Sequence, residues 1–483
     1  MASHELLKVV ALDNGMISAY PPNVFPQDQG FTTMLYNFDF DEIPGQVRKR
    51  YGVAELFSEL PGIAKGSFQF LKDGIEPLYI VATEDQVVYY NSNELVDDWE
   101  DISPEGWDDD EAVTCDFVSL LGLLIVSDGV NTPFKWDGTI TTELANMPKA
   151  KYLTELKGRI IAAGMDTDAL ALRGSDVGDP AIWDETDTDY RAFKVYPGGE
   201  GAITSITTIE DIVLIGKKYS LHALVGTSVY DFQVIPIDLT VGVGSHWTVK
   251  HIRGSAFFVS SEGEIYSVEP GARPERRSAA IQDIIRTVNI GRIDEARAAV
   301  MEKYHYVVTL PVGETGFITL IYDIIRRRWR TSDLHIGSSA VSEEVLGYCF
   351  TYPEGLQLYN LDPDALHDTK SDRTYLISAY LETIQYHFNY PEAEKEINNL
   401  WLGVLTQDNP YKVWVEARID GSEWFNITPL GVEVNGEAGV YRRIRVPVGK
   451  LCSTIQFRIS NAGLDEPITL LDLCISYIVK EIE

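Results

Sequence analysis

The chain reads as an all-β protein: a six- or seven-bladed β-propeller with an N-terminal extended arm and a C-terminal antiparallel β-sandwich. Three observations predict this. A phrase of apolar run, turn and aromatic-rich strand recurs seven times, its spacing is that of a four-stranded blade, and beyond residue 365 it gives way to plain period-two alternation.

The phrase is clearest at 121–138, LGLLIVSDGVNTPFKWDG. Leu123 to Val126 suit a buried strand, Ser127-Asp128-Gly129 is turn chemistry, and Phe134 and Trp136 resume before Asp137-Gly138 turns again. The same phrase begins at Leu78, Arg159, Asp211, Ser255, His305 and Gly347. The seven starts, 78, 123, 159, 211, 255, 305 and 347, lie 45, 36, 52, 44, 50 and 42 residues apart. That is the period of a propeller blade. A lone hairpin cannot bury both faces, so radial stacking is how such units acquire a common core.

In chain order, residues 1–45 form the arm with its first strand: Leu6 to Leu12 is one candidate strand, and YPPNVFP is too Pro-rich to be regular. Asn37 to Val53, NFDFDEIPGQVRKRYGV, alternates Phe38 and Phe40, turns at Pro44-Gly45 and then presents Arg48, Lys49 and Arg50. Three bases in a row mark a partner contact, a solvated strand end or an internal clamp on an acidic neighbour. Residues 46–365 carry the propeller hairpins and one short connecting helix over Ala279 to Thr287, with Ile281, Ile284 and Ile285 on one face. LHDTKSDRTY, near 365–375, reads as a linker. Within 366–483, Tyr411 to Asp420, Tyr441 to Gly449, Ser453 to Ser460 and Leu470 to Val479 alternate as strands of a second, sandwich domain.

Composition narrows the function. The formal net charge is −33, from 73 acidic and 40 basic side chains, which argues against gripping nucleic acid by neutralising phosphates. Such a surplus also keeps a protein soluble. Cys115, Cys349, Cys452 and Cys474 are widely spaced without a C-x-x-C, consistent with a reducing compartment; Cys452 and Cys474 have the option of facing each other. LLKVVAL at the N-terminus is too short for a signal-peptide core, and no apolar run approaches a membrane span. Assembly in a cytoplasm without membrane insertion is the expectation.

Catalytic motifs are missing from the sequence: it has no metalloprotease, P-loop, dinucleotide or nucleophile-elbow signature, so neither an enzyme nor a cofactor is expected. His246 and His251 lie five apart, on opposite faces of a strand. The loop from Asp362 begins like an EF-hand but lacks Gly at its sixth position and has Arg373 at its twelfth. Asp184, Asp187 and Asp189 would hold a cation only weakly. Arg326, Arg328 and Arg330 would line one face of a strand as a basic ridge, suited to an acidic neighbour, with Arg327 and Trp329 on the other. Trp99, Trp136 and Trp183 raise a carbohydrate-binding or glycan-cleaving alternative, although packing within repeats explains them too.

The ordered phrases NFDFDEIPGQVRKRYGV, SDGVNTPFKWDG, RGSDVGDPAIWD, GEGAITSITTIEDIVLIGKKYSLHALVG and VGVGSHWTVKHIRGSAFFVSSEGEIYSV together resemble the β-propeller tail nozzle, or tail-tube hub, proteins of short-tailed bacteriophages. The resemblance covers residues 35–365 and, more loosely, the C-terminal module. It implies a structural virion protein forming a homo-oligomeric ring, a hexamer, below the portal and adaptor proteins. Such a ring extends the channel for genome ejection and offers a platform to tail fibres or a tip protein. A tail-tip or neck component of a long-tailed phage is the neighbouring reading. In such a ring, Arg48, Lys49, Arg50, Arg326, Arg328 and Arg330 are candidates for the subunit contact. Asp108, Asp109, Asp110 and Glu111 are candidates for a lumen past which double-stranded DNA slides without binding.

Overall fold

The computed structural model describes every residue except 1–4, 20–25, 41–42, 73, 75–76, 85–86, 91–98, 108–113, 187–190, 343–346, 353–354, 363, 371–372 and 481–483. Regular structure is almost entirely strand, arranged as many small, mostly antiparallel sheets in a propeller-like series. Each recurring phrase supplies the second and third strands of a four-stranded unit. In one, Asp116–Leu120, Leu123–Ser127, Phe134–Trp136 and Thr141–Glu143 pair in sequence order, with Leu124 opposite Trp136 and Val126 opposite Phe134. The phrase does not contain the first strand of its unit. That strand joins the second through a two-residue turn: Leu121-Gly122, Lys157-Gly158 and Arg253-Gly254 have positive φ at both residues. This is the primed turn whose twist matches the flanking strands.

The remaining units begin with the strands Gly66–Phe70, Tyr152–Leu156, Ile203–Ile209, Lys250–Ile252, Arg297–Met301 and Ser338–Ser342. These first strands neighbour one another from unit to unit, and Ser338–Ser342 packs beside Gly66–Phe70. The last unit is completed by Gly52–Glu55, a strand from far upstream that pairs with Tyr359–Asp362. Between units lie separate apolar cores, such as Phe70, Ile80, Leu124, Val126 and Trp136. Each fully buried Leu, Val or Phe there contributes roughly 1.5–3 kcal/mol relative to exposure. The short helix falls where expected, at Gln282–Ile285, with Ile281, Ile284 and Ile285 buried.

The N-terminal residues are not a projecting arm. Glu5–Val9 pairs with Thr469–Val479, and Val47–Lys49 pairs with the same strand. Thr32–Tyr36 lies between Ala379–Thr383 and Arg328–Ser332, meeting the latter in parallel at Tyr36 and Thr331. The C-terminal strands therefore share one sheet with the unit at 297–332 and one apolar core with both chain ends. Strands at Tyr411–Ile419, Tyr441–Cys452, Ile455–Asn461 and Thr469–Val479 match the alternation, while the central Lys395–Leu405 escaped it. The expected linker is a hairpin, His367–Lys370 against Arg373–Leu376. Cys452 and Cys474 are buried free thiols. They sit opposite Lys395 and Trp401 on either side of one strand, which separates them by roughly 20 Å along its length.

Arg50 joins these pieces. Its guanidinium is buried and bonds Asp368 through both oxygens, at 2.8 and 2.7 Å, and Asp333 at 2.8 Å. Its Nε donates to Asn37 Oδ1 at 3.2 Å, and that oxygen also accepts from Ser332 Oγ and the Asp333 amide. Asp368 Oδ1 accepts from the Val53 amide in the closing strand, and Asn37 Nδ2 donates to Ser378 O. Burial opposes the charge on Arg50, but the Asp368 hydrogen bonds and the two carboxylates outweigh it and hold the group protonated. Removing one partner of such a buried pair strands the other. Asp368→Asn is therefore expected to lower stability by about 3–5 kcal/mol in urea unfolding; a loss within experimental error would contradict the clamp.

Candidate functional site

Five of the seven first strands, together with the turn at His246–Thr248, border a cavity of about 380 Å³. On Gly66–Phe70, Phe70 enters the core shared with the next unit, Phe68 packs against that core and also borders the cavity, and Ser67 and Gln69 line it. Gln69 is 6% exposed, and neither its amide oxygen nor its nitrogen has a hydrogen-bond partner; Ser67 Oγ is likewise buried and unpartnered. Asp116 opens the next unit's first strand. Its carboxylate accepts from the Leu153 amide at 2.7 Å and the Phe117 amide at 2.9 Å, and lies 3.2 Å from His246 Nε2. His246 does not sit on a strand. It starts the turn His246–Thr248 and packs its ring on Tyr152, with centroids 4.5 Å apart. Its Nδ1 is buried without a partner.

Three cations, Lys65, Lys250 and Arg297, complete the wall. Burial pushes the Lys250 ammonium down to about 8, with Asp116 opposing that shift and Arg297 adding to it. Arg297 reaches only carbonyls through Nη1, those of Asp294 at 2.6 Å and Ala296 at 3.1 Å, and burial lowers it to about 10. Burial and then the Asp116 charge push Tyr152 up to about 12. A second cavity, of about 730 Å³, shares Arg297 and Gly337 with the first, so the two adjoin. No group of three His, Cys, Asp or Glu among the described residues could hold a metal. The chemistry on offer is recognition of negative charge and of hydrogen-bonding groups.

Of these positions only His246 and His251 stood out in the sequence, and as strand residues on opposite faces rather than as neighbours of one cavity; isolated polar residues in apolar strands form no motif. The other residues that stood out lie elsewhere. Lys49 is buried, with Nζ on Asn461 Oδ1 at 2.9 Å and Gly463 O at 3.0 Å. Arg50 is the internal clamp described above, and Arg48 stacks on Tyr51 at 3.9 Å. The basic ridge does not form: residues 324–327 are a hairpin turn, with Arg327 at φ 56°, so Arg326 is off the strand. Arg326 pairs with Asp323 at 3.0 Å, Arg328 with Asp13 at 2.7 Å, and Arg330, 1% exposed, lies 2.8 Å from Asp39. Arg50 and Arg330 are thus buried within the chain and cannot present a surface. Asp108 to Glu111, the lumen candidates, and Asp187 and Asp189 lie outside the described residues. Trp136 and Trp183 are core residues, and Trp99 is tied to Ser58 O at 3.0 Å, so these rings do not form a sugar platform.

No family model and no curated protein matches the chain. Solved structures match it distantly. PorZ, a surface component of the type-IX secretion system of Porphyromonas gingivalis, is 11% identical with a TM-score of 0.39, covering 83% of this chain and 52% of PorZ. The extracellular domain of the putative hybrid two component system BT4673 of B. thetaiotaomicron is 10% identical at 0.41, covering 82% and 47%. The computationally designed Ika8 is 9% identical at 0.41, covering 64% and 100%. The chain spans about half the length of the first two, and its functional reading rests on its own residues.

The Lys250 ammonium gives a test of the cavity's electrostatics. Its folded value of about 8 lies below the ordinary 10.5, so between those values the unfolded chain holds the extra proton and stability rises with pH. Lys250→Met removes the buried cation. It is expected to unfold later than the parent below pH 8, with the gap closing toward pH 10.5; a pH-independent gap in unfolding midpoint would contradict this.

Proposed function

We propose that the protein is a structural, non-enzymatic virion component of the tail-nozzle kind: a seven-bladed propeller fused through shared sheets to a C-terminal sandwich, assembling into a ring that extends a DNA-ejection channel. The observation that carries this reading is the cycle of seven four-stranded units, with Ser338–Ser342 returning to Gly66–Phe70 and an upstream strand completing the last unit. Four of the five ordered phrases fall on those units, and the first, at 37–53, runs from the sheet of the C-terminal strands into the closing strand. Blades closed in this way leave few free strand edges for unwanted pairing.

A ring needs two different complementary surfaces on each subunit. The cations expected to supply the basic surface are largely used internally, and the role passes to the sandwich edge. Tyr441–Cys452 is an edge strand, paired only with Lys395–Leu405 among the described residues. It exposes Arg442, Arg443, Arg445 and Lys450. On a chain of net charge −33, such an edge complements the acidic flank of another copy. Portal or adaptor proteins, fibres or a tip protein are the expected further neighbours.

Native mass spectrometry with negative-stain imaging tests the ring. A closed oligomer of about six copies is expected, dissociating when Arg442 and Arg445 are both changed to Glu. A parent chain that remains monomeric at tens of micromolar and is absent from purified particles would defeat the reading.

A further inference from the structure

We propose that the axial cavity is a binding site for a small polyvalent oxyanion, one carrying carboxylate or phosphate groups. Three cations, Lys65, Lys250 and Arg297, line it against the single carboxylate of Asp116. That carboxylate is already engaged by two backbone amides and His246. None of the three cations forms an ion pair among the described residues, although the chain carries 73 acidic side chains. Elsewhere buried bases meet either carboxylates, as Arg50 and Arg330 do, or backbone carbonyls, as Lys217 does with Pro197 and Gly199 and Lys395 with His387 and Tyr390. Three cations facing one carboxylate across a cavity, with Asp294 and Glu295 acting on Arg297 from outside its wall, leave a local surplus of positive charge that suits an anion.

The second observation is independent of charge. Gln69 is buried with both ends of its amide unpartnered, beside the equally unpartnered Ser67 Oγ, and both border the cavity. Orphaned buried polar groups cost stability unless something in the cavity satisfies them. Water would satisfy the amide but would leave the cations unneutralised. A ligand with two or more negative charges neutralises the cations and offers acceptor oxygens to the Gln69 amide nitrogen and the Ser67 hydroxyl, while a ligand hydroxyl or a water donates to the Gln69 amide oxygen. The adjoining larger cavity, which shares Arg297, gives it a route in.

The test titrates the full chain with sodium phosphate and, separately, sodium citrate by calorimetry, with sodium chloride at matched ionic strength as control. Saturable one-to-one binding is expected, weakened about tenfold or more by Lys250→Gln or Arg297→Gln and largely kept by Lys250→Arg. Phosphate binding alone would indicate an inorganic or phosphoryl ligand, and citrate binding alone an organic carboxylate; each supports the site. A second measurement needs no variant: in acetic anhydride labelling read by mass spectrometry, the bound anion protects Lys250 while exposed Lys303 reacts unchanged. Binding no stronger than the chloride control, or Lys250 labelled equally with and without both anions, overturns the proposal. The outcome is separate from ring formation, since a monomer that binds citrate leaves the site standing.

Discussion

The arrangement depends on one buried cation, Arg50. Its guanidinium meets Asp333 at the end of one four-stranded unit and Asp368 in the hairpin that follows the last unit. Through Asn37 and Val53 the same network reaches the N-terminal strands and the strand that closes the series. A buried ion pair in isolation adds little net stability, because desolvation offsets attraction. Its effect here is specificity: four segments, at Asn37, Arg50 to Val53, Ser332 to Asp333 and Asp368, meet around two carboxylates, so a misregistered closing strand would leave a buried charge without its partner.

That constraint explains how an acidic chain distributes its few bases. Lys49, Arg50, Arg328 and Arg330 bind the N-terminal segment to the units and to the sandwich. Lys65, Lys250 and Arg297 instead line one cavity without forming an ion pair among the described residues. A third group, Arg442, Arg443 and Arg445, stands on the exposed edge of the sandwich. The same residue type therefore serves three purposes, set by burial and by the carboxylates within reach.

Much of the scaffold was legible. Apolar runs such as Leu123 to Val126 and the aromatic strand at Phe134–Trp136 announced every unit, because a half-buried strand must alternate and a unit must recur at its own length. The first strand of each unit was missed even though turns such as Lys157-Gly158 and Arg253-Gly254 signal it. The tract at 324–330 was read as one strand because charge carries no periodic signal of a turn. Lys395–Leu405 was missed because EINNL interrupts its alternation with Asn398 and Asn399, where the pairing register shifts.

The cavity was not legible at all. Gln69, Asp116, Lys250 with the nearby His246, and Arg297 come from four different units, and only their tertiary arrangement brings them to one space. The sequence alone determined the strand-forming repeats and the overall acidity, since hydrophobic period and composition are local properties that survive any tertiary arrangement. The tertiary structure alone decided which bases are clamps, which edge stays free and which polar groups meet at the axis. Those outcomes depend on contacts between residues hundreds of positions apart, such as Arg50 and Asp368, and no local pattern encodes the distance between them.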